Sequence, residues 1–283
     1  MNPVYVQTIP LPDILRKLGL IPAEQNTTAI LYRSPFHEHP TPSLQVSLAD
    51  NRWQDSYTRN SGGSMELIQS WLLHQGLKCS EAEVLHWFRF QIGYPAMSKK
   101  FDLPESTASD QYKIAFRTAL QERSLLRYVS EQGFSYEQAK RFFKQMYVLN
   151  KPTGKEFRAL GMRNEEGGYA LYSPHLEALT APVSVSFIRG GKNDYERVYL
   201  FKTPFDYQQA VKFYPSIERH DSIILHAYGC ADHAAAYIRG FGYKRLYTVF
   251  DDSPEGKRAT KAFHWLCSTE VHLVHRSLHL DHS

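Results

Sequence analysis

The chain has 283 residues, of which 42% are hydrophobic and 22% charged, and its formal net charge is +4. This length is sufficient for two globular units with separate cores, and the mildly basic charge permits contact with a phosphate backbone without requiring it. The three cysteines, Cys79, Cys230 and Cys267, are far apart in the sequence and form no C-x-x-C pair, which argues against a disulfide framework and against a cysteine-based zinc site.

The sequence gives no indication of secretion or membrane insertion. Residues 1–12 contain no basic segment followed by an apolar run, and the longest apolar stretches, such as residues 222–225, have the length of a strand. We therefore expect a cytoplasmic protein that has no membrane partner.

The first 78 residues predict a small α+β domain. Residues 12–19 are typical of a short helix that ends at Gly19, and residues 28–33 and 43–48 are typical of strands, with Asp50-Asn51 as a turn signal. An amphipathic helix over residues 64–73 closes this domain.

Residues 79–149 predict a helical connector. Apolar residues recur at helical spacing over residues 81–90 and 109–131, and a third helix is predicted over residues 135–147. The Pro-, Ser- and Gly-rich residues 93–107 indicate a loop. In this interpretation Tyr112, Phe116 and the other aromatic residues of the connector are helix-core residues and not platforms for bases.

Strands and helices alternate from residue 150 to residue 283, which predicts an α/β domain with a parallel sheet and flanking helices. The predicted strands are residues 196–201, 222–226, 245–250 and 271–274, and the predicted helices are residues 204–213, 230–240 and 255–267. Sites in such sheets lie beyond the carboxyl ends of the strands, where Lys202 and Asp251 are placed.

Two segments could carry chemistry. The first, F-D-D-S-P-E-G at residues 250–256, follows a predicted strand. A D-x-D run at this position would direct two carboxylates to one side of the strand, and a third carboxylate would complete a magnesium site. Here the two acids are adjacent, so Asp251 and Asp252 point to opposite sides. The alternative interpretation of these acids is a cap on the following helix. The second segment is S-P-F-H-E-H-P-T-P-S at residues 34–43, followed by W-Q-D at 53–55 and S-G-G at 61–63.

Together these segments resemble the DnaG-type bacterial primases, particularly the toprim-containing primase relatives carried by mobile genetic elements. The matching residues of the N-terminal zinc-ribbon motif are Pro35, Phe36, His37, Pro42 and Ser43, followed by Gly62-Gly63 and residues 65–68. The matching residues of the toprim domain are those of strands 198–201 and 248–250, with Asp251 and Gly256. Residues 160–169 are similar to a G-F-x-N-x-x-G-G-Y element that lies between these parts in the mobile-element relatives.

The resemblance implies a zinc ribbon whose cysteines have been replaced. Ser34 stands at the first cysteine, and the strand F-x-C-x-x-C reads W-Q-D-S-Y-T at residues 53–58, so that His37 is the one remaining ligand. Because structural zinc sites are closed tetrahedra of Cys and His, we expect no zinc. The domain would then depend on its apolar core, with Trp53 at the centre. His37 is either a relic ligand or a turn histidine bonded to backbone, and we favour the latter.

The resemblance also implies an incomplete toprim site. Lys202 stands at the glutamate position and Ser253 at the second Asp of D-x-D, while Asp251 remains. Two unit charges at ~4 Å interact by about 4 kcal/mol at an effective dielectric constant near 20, so a lysine here opposes a divalent cation. We expect Lys202 to form an ion pair with Asp251 in place of the metal, and magnesium to bind only if the site is still active.

Basic residues around the strand ends and on the helix that follows, together with Arg189 and Lys192 elsewhere in the chain, are predicted to contact phosphates. The candidates are Lys202, Arg239, Lys244, Arg245, Lys257, Arg258, Lys261, Arg189 and Lys192.

Three functions are compatible with the sequence. The first is a non-catalytic, primase-derived DNA-binding protein that acts on single-stranded or forked DNA, with possible protein partners, in replication, mobilisation or defence of a mobile element. The second is an active primase or toprim nuclease with a rearranged acidic site, for which the candidate catalytic residues are Asp251, Asp252, Asp206 and Glu255. The third is a protein-interaction subunit that binds no nucleic acid.

Overall fold

The computed structural model of the protein describes residues 1–191, 195–270 and 272–278, which fall into two units. One unit is Met1–Pro95 with residues 268–270, and the other is Ala96–Cys267 with residues 272–278. Each unit has a mixed α/β composition. Among the described residues, no helix has both the length and the apolar character needed to span a bilayer.

The N-terminal unit packs four helices on an antiparallel sheet. Its helices are α1 (Pro3–Gln7), α2 (Leu11–Lys17), α3 (Ser64–His74) and α4 (Glu81–Gln91). Its strands are β1 (Pro22–Gln25), β2 (Ala29–Tyr32), β3 (Leu44–Ser47), β4 (Arg52–Asp55) and β5 (Ser61–Gly62), and they pair in chain order. Trp53 is buried in the core, and its indole N–H donates to the carbonyl of Gly63 at 3.0 Å. The helices and strands predicted for residues 12–73 and the central position of Trp53 are confirmed.

The second unit contains a five-stranded antiparallel sheet, whose first two strands lie where a helical connector was predicted. Its strands are β6 (Tyr112–Thr118), β7 (Lys144–Asn150), β8 (Lys155–Arg163), β9 (Tyr169–Ser173) and β10 (Leu176–Leu179), in the order β10-β9-β8-β7-β6. Three helices precede or interrupt them: α5 (Met97–Lys100), α6 (Arg123–Glu131) and α7 (Tyr136–Phe142).

The helix predicted over residues 109–131 is therefore wrong for residues 112–118, which form β6, and is confirmed for residues 123–131, which form α6. The helix predicted over residues 135–147 ends at Phe142. Tyr112, Ile114 and Phe116 alternate with polar or small residues, which is the period of a strand. A shift of register between Ile114 and Phe116 breaks that period after two repeats. The antiparallel sheet also crosses the expected domain boundary at residues 149 and 150.

A second sheet carries the site. Its strands are β11 (Ser186–Ile188), β12 (Arg197–Phe201), β13 (Asp221–Ile224), β14 (Arg245–Val249) and β15 (Val274–Ser277), and their order is β11-β13-β12-β14-β15. The pairs β12–β13, β12–β14 and β14–β15 are parallel, and β11 is antiparallel to β13. The parallel strands predicted from the alternation of elements are present, although β15 starts three residues after the predicted position.

Helices cover both faces of this parallel sheet. They are α8 (Pro204–Phe213), α9 (Ala231–Phe241) and α10 (Pro254–Thr269). Val198 and Leu200 belong to the apolar cluster that includes α9 and α10, whereas Tyr199 and Phe201 belong to the cluster that includes α8. This alternation along β12 fixes the strand between two cores and directs the residues that follow it to the carboxyl edge.

Candidate functional site

The carboxyl ends of β12, β13 and β14 meet at one edge of the parallel sheet, which we call the carboxyl edge. Lys202 directly follows β12, His226 follows β13 by two residues, and Asp251 follows β14 by two residues. The backbone N–H of His226 donates to the carbonyl of Lys202 at 2.8 Å, so that these two residues are neighbours across the strands. The edge therefore brings a cation, an imidazole and a carboxylate to the position where α/β sheets place their sites.

Lys202 is half-buried, and its ammonium lies 5.4 Å from the centre of the Tyr228 ring. Beside it, Asp206 belongs to the first turn of α8 and forms a reciprocal cap with Thr203. The Thr203 backbone N–H and hydroxyl donate to Asp206 Oδ2 at 2.9 and 2.8 Å. Burial raises the pKa of Asp206 above its ordinary value, and the nearby Lys202 charge opposes that rise.

Asp251 is held by Ser253. The backbone N–H of Ser253 donates to Asp251 Oδ1 at 3.1 Å, and the Ser253 hydroxyl donates to the same oxygen. Ser253 Oγ also accepts the N–H of Gly256 at 3.0 Å, so that Ser253, and not Asp251, caps α10. A Cβ atom on Gly256 would lie 2.3 Å from the carbonyl oxygen of Asp251, which requires glycine at this position.

The predicted ion pair between Lys202 and Asp251 is wrong for the structure as described. Asp251 accepts hydrogen bonds from its own loop, and Lys202 lies over the Tyr228 ring. The charges of both residues nevertheless affect the pKa of Asp206. Burial has the largest effect and raises this pKa, the Lys202 charge lowers it, and the Asp251 charge raises it further. Burial also raises the pKa of the Tyr228 hydroxyl, and the Asp251 charge adds to that rise.

The remaining acidic candidates are placed differently. Asp252 is exposed to solvent. Glu255 lies in the first turn of α10 and accepts from Arg258 Nη2 at 3.4 Å along the same helix. Asp251 therefore lies close enough to Asp206 for its charge to raise the pKa of that carboxyl, whereas Glu255 pairs with Arg258 on its own helix.

The predicted basic residues divide between the two edges of the sheet. Lys202 lies at the carboxyl edge, and α10, which follows that edge, carries Lys257, Arg258 and Lys261. A second group lies where the strands begin, which we call the amino edge: Arg189, Arg239, Lys244 and Arg245. The predicted position at the strand ends is therefore wrong for Arg239, Lys244 and Arg245, while the predicted phosphate contacts of this group stay a prediction. Lys192 lies outside the described residues.

Two residues of this second group, Arg189 and Lys244, have structural partners at the amino edge. Arg189 pairs with Asp221, the first residue of β13, at 3.0 Å, and its guanidinium lies 4.1 Å from the centre of the Phe187 ring. Lys244 pairs with Glu196, which directly precedes β12. These contacts explain the presence of Arg189 and Lys244 without a ligand.

A buried histidine network at the carboxyl edge was not predicted from the sequence. His226 Nδ1 lies 2.7 Å from the Tyr172 hydroxyl, and Nε2 lies 2.6 Å from Ser186 Oγ. The Ser186 hydroxyl donates to the carbonyl of Arg163 at 2.8 Å, so its oxygen accepts from Nε2–H, and Nδ1 accepts from Tyr172. Burial lowers the pKa of His226 to about 3, and the imidazole is therefore neutral. The sequence signal was a histidine at the end of an apolar strand.

A cavity of about 490 Å³ opens beside this network. Lys202, His226 and Tyr172 line one side, and the segment of residues 105–109 lines another. Its size is in the range of small-molecule pockets, and Lys202 supplies its cationic group.

In the N-terminal unit, the positions of the implied zinc ligands converge on Asp55. The Ser34 hydroxyl donates to Asp55 Oδ2 at 2.5 Å, and His37 Nε2 lies 3.3 Å from the same oxygen. The backbone N–H groups of Tyr57 and Thr58 donate to Asp55 Oδ1 at 2.9 and 3.4 Å. His37 Nδ1 accepts the N–H of His39, as expected for a turn histidine, which leaves the proton on Nε2.

This cluster does not fit a structural zinc ion. Burial alone would raise the pKa of Asp55, but hydrogen bonds from Ser34 and from the N–H of Tyr57 hold the pKa below its ordinary value. Of the four implied ligand positions, 34, 37, 55 and 58, only His37 and Asp55 have side chains that coordinate zinc readily. The Asp55 carboxylate already accepts hydrogen bonds from Ser34 and from the backbone of residues 57 and 58. In the described part of the chain, no group of three or more His, Cys, Asp and Glu side chains could hold a metal ion.

Comparison with known proteins gives one family and several structures. A family model described as a domain of unknown function (DUF8464) matches residues 114–179, which include most of β6 and all of β7 to β10. No curated protein matches the chain.

Three solved structures are similar to the chain at low identity. The Aquifex aeolicus primase (zinc-binding and RNA polymerase domains) is 16% identical over 98% of this chain and 79% of its own, with a TM-score of 0.39. The primase fragment of the bacteriophage T7 primase-helicase is 11% identical over 88% and 90%, with a TM-score of 0.40. A DNA primase domain from Pseudomonas aeruginosa is 15% identical over 66% and 70%, with a TM-score of 0.41.

Proposed function

We propose that this chain is a primase-derived DNA-binding protein without catalytic activity, which acts in replication, mobilisation or defence of a bacterial mobile element. In this proposal the parallel sheet is a toprim-like domain, and the N-terminal unit is a zinc-ribbon-like domain that has lost its zinc. The motifs at residues 34–43, 61–63 and 250–256, in that order, support the family assignment.

The observation that carries the proposal is the composition of the carboxyl edge. Lys202 supplies a cation at the position implied for the metal-binding glutamate. The carboxylate of Asp206 accepts hydrogen bonds from Thr203, and that of Asp251 accepts hydrogen bonds from Ser253. A cation beside an α-helix N-terminus suits a phosphate group, because the N-terminal dipole also favours negative charge. Exposed Lys257 in the first turn of α10 adds to the same field.

Lys202→Ala is expected to weaken binding of single-stranded DNA by about three- to tenfold and to reduce the salt slope by about one, as for the loss of one phosphate contact. Fluorescence anisotropy of a labelled oligonucleotide, titrated at several salt concentrations with and without EDTA, measures both quantities. Lys244→Ala is the matched control, since Lys244 lies at the amino edge and pairs with Glu196. Equal effects of the two substitutions would contradict the assigned edge, and salt-insensitive or absent binding would favour the interaction subunit.

The alternative of an active metal-dependent primase or nuclease is favoured by one observation: the Asp251 charge contributes to the raised pKa of Asp206, which places two carboxylates within electrostatic range of each other. Primer synthesis or cleavage of single-stranded DNA that requires magnesium or manganese, and that Asp251→Asn abolishes, would establish this alternative and overturn the non-catalytic proposal. Under the proposal, wild type and Asp251→Asn give the same product level as a protein-free reaction at every metal concentration.

The zinc-ribbon assignment can be tested by restoring cysteines. The triple variant Ser34→Cys, Asp55→Cys and Thr58→Cys would combine three thiolates with His37, since the side chains of Ser34 and His37 and the N–H of Thr58 all contact Asp55. We expect tight 1:1 zinc binding and a zinc-dependent rise in melting temperature, as for structural Cys₃His sites. Titration with Co²⁺, followed by visible absorption, reports tetrahedral thiolate coordination. The same triple variant with His37→Ala is the control, and equal metal affinity of both proteins would contradict the assignment.

A further inference from the structure

Phe116, Tyr147 and Arg158 form a row across three neighbouring strands, which we call the aromatic row. Phe116 pairs with Tyr147 between β6 and β7, and Tyr147 pairs with Arg158 between β7 and β8. The two rings are stacked, with 4.0 Å between their centres and 16° between their planes. The Arg158 guanidinium lies 5.4 Å from the centre of the Tyr147 ring. The three side chains therefore continue one another in a single stack.

Polar contacts fix Tyr147 and Arg158, which form the inner end of the aromatic row. Buried Gln145 donates to the Tyr147 hydroxyl at 2.9 Å, and its carbonyl oxygen accepts the backbone N–H of Glu122 at 2.9 Å. The Glu122 carboxylate in turn accepts from Arg158 Nη1 at 2.6 Å. These contacts hold Tyr147 and Arg158 in one geometry and reduce the entropy that a ligand would have to remove.

The outer end of the aromatic row is open. β6 is an edge strand of the antiparallel sheet, so none of the strands in residues 1–191, 195–270 and 272–278 covers the outer side of Phe116. The Phe116 side chain is accordingly 55% exposed. An exposed ring at a sheet edge is accessible for stacking with a partner ring. A flat ring could extend the stack at this end.

The segment of the chain that contains the aromatic row is strongly basic. Residues 112–163 contain eleven Lys and Arg and four Asp and Glu, a net charge of +7, whereas the whole chain carries +4. The rest of the chain is therefore net negative. Lys113 is exposed and pairs with Leu149, two residues from Tyr147, so that it shares the face of the row. This distribution favours a polyanion.

We infer that the aromatic row stacks an unpaired base of single-stranded DNA, while the surrounding lysines and arginines contact the backbone. Exposed stacked rings with a nearby guanidinium and a basic surface are the features that bind single strands without sequence preference. The inference rests on the proposed function and names its nucleic-acid contact within the second unit. It also corrects the expectation that Phe116 is a helix-core residue.

Phe116→Leu tests the inference, because leucine keeps an apolar side chain on the strand but has no π-face. We expect affinity for a dT oligonucleotide to fall by about tenfold, since stacking contributes about 1–3 kcal/mol per base. Affinity for an abasic oligonucleotide of the same length, which has the phosphates but no bases, should stay unchanged. Phe213→Leu is the matched control, because Phe213 in α8 is 56% exposed and lies outside the basic region.

The two oligonucleotides separate this inference from the proposed function. If the wild type binds neither one, both proposals are wrong. If it binds both equally well, or if Phe116→Leu and Phe213→Leu have the same effect, DNA binding stands and the base contact is overturned. Phe116→Trp provides a second measurement, since a larger ring should retain or increase the preference for dT over the abasic strand. Loss of that preference with tryptophan would also overturn the inference.

Discussion

Asp55→Ala is expected to destabilise the N-terminal unit by about 3–5 kcal/mol, because it removes the acceptor of a buried hydrogen-bond network. Asp55 is completely buried and accepts from Ser34, His37 and two backbone N–H groups. Alanine cannot accept any of these hydrogen bonds, and each donor left buried without a partner costs about 1–3 kcal/mol. This cluster thus connects the loop of residues 34–43 to the end of β4.

Urea unfolding followed by tryptophan fluorescence measures this effect in the N-terminal unit. Three of the four tryptophans, Trp53, Trp71 and Trp87, belong to that unit, so their emission reports its unfolding. Asp50→Ala is the control, because Asp50 is an exposed turn residue that accepts from Ser47. A loss of less than about 1 kcal/mol in Asp55→Ala would show that the apolar core alone holds this unit.

The pH dependence of the same network has a defined sign. Since the pKa of Asp55 is lower in the folded protein than in the unfolded chain, the carboxylate contributes stability above the ordinary pKa of Asp. That contribution is lost as the pH falls through the folded pKa. Asp55→Ala should therefore reduce the acid sensitivity of the tryptophan transition below about pH 4, in addition to lowering stability at neutral pH.

The parallel sheet was predictable because its signals are local. Strands 197–201 and 245–249 are short apolar runs between helices of ordinary length, and a strand end identifies the carboxyl edge without further information. The antiparallel sheet was not predictable in this way. In β6 a register shift at Ala115 interrupts the alternation, and in β7 the strand begins two residues after α7 ends, so that one apolar stretch serves two elements.

The sequence predicted where the site residues lie in the fold, but not which side chains they contact. Lys202 and Asp251 lie at the carboxyl edge because each follows a strand, yet their contacts depend on Tyr228 and Ser253, whose orientation is set by packing. Asp55 and Ser34 are 21 residues apart, and only the fold brings their side chains together. Sequence patterns identify which residue ends a strand, whereas pairing between distant side chains depends on the tertiary structure.

His226 is expected to make the second unit sensitive to acid at a higher pH than a carboxylate would. Burial lowers the pKa of His226 to about 3, whereas an exposed histidine titrates near 6.5. Below about pH 6.5 the unfolded chain therefore binds a proton that the folded protein excludes. Stability is fully present above that pH and is lost at about 1.4 kcal/mol per pH unit as the pH falls towards 3.

His275 contributes to the same slope, because burial lowers its pKa to about 4. The effect of His226 is therefore read from a difference between proteins. His226→Gln should reduce the slope of unfolding free energy against pH by about 1.4 kcal/mol per pH unit between roughly pH 4 and pH 6, which corresponds to one proton. It should also lower stability at pH 8 by about 1–3 kcal/mol, because the hydrogen bonds to Tyr172 and Ser186 are lost.

Urea unfolding monitored by circular dichroism at several pH values gives both quantities for the same samples. His233→Gln is the matched control, because His233 lies on α9 in the same unit and is exposed. Equal slopes in the wild type and in His226→Gln would mean that His226 takes up its proton in the folded protein. In that case protonation would place an imidazolium beside Lys202 in the cavity at the carboxyl edge, and DNA affinity would increase as the pH falls. A neutral His226 instead predicts that DNA affinity stays constant over this range as long as the protein remains folded.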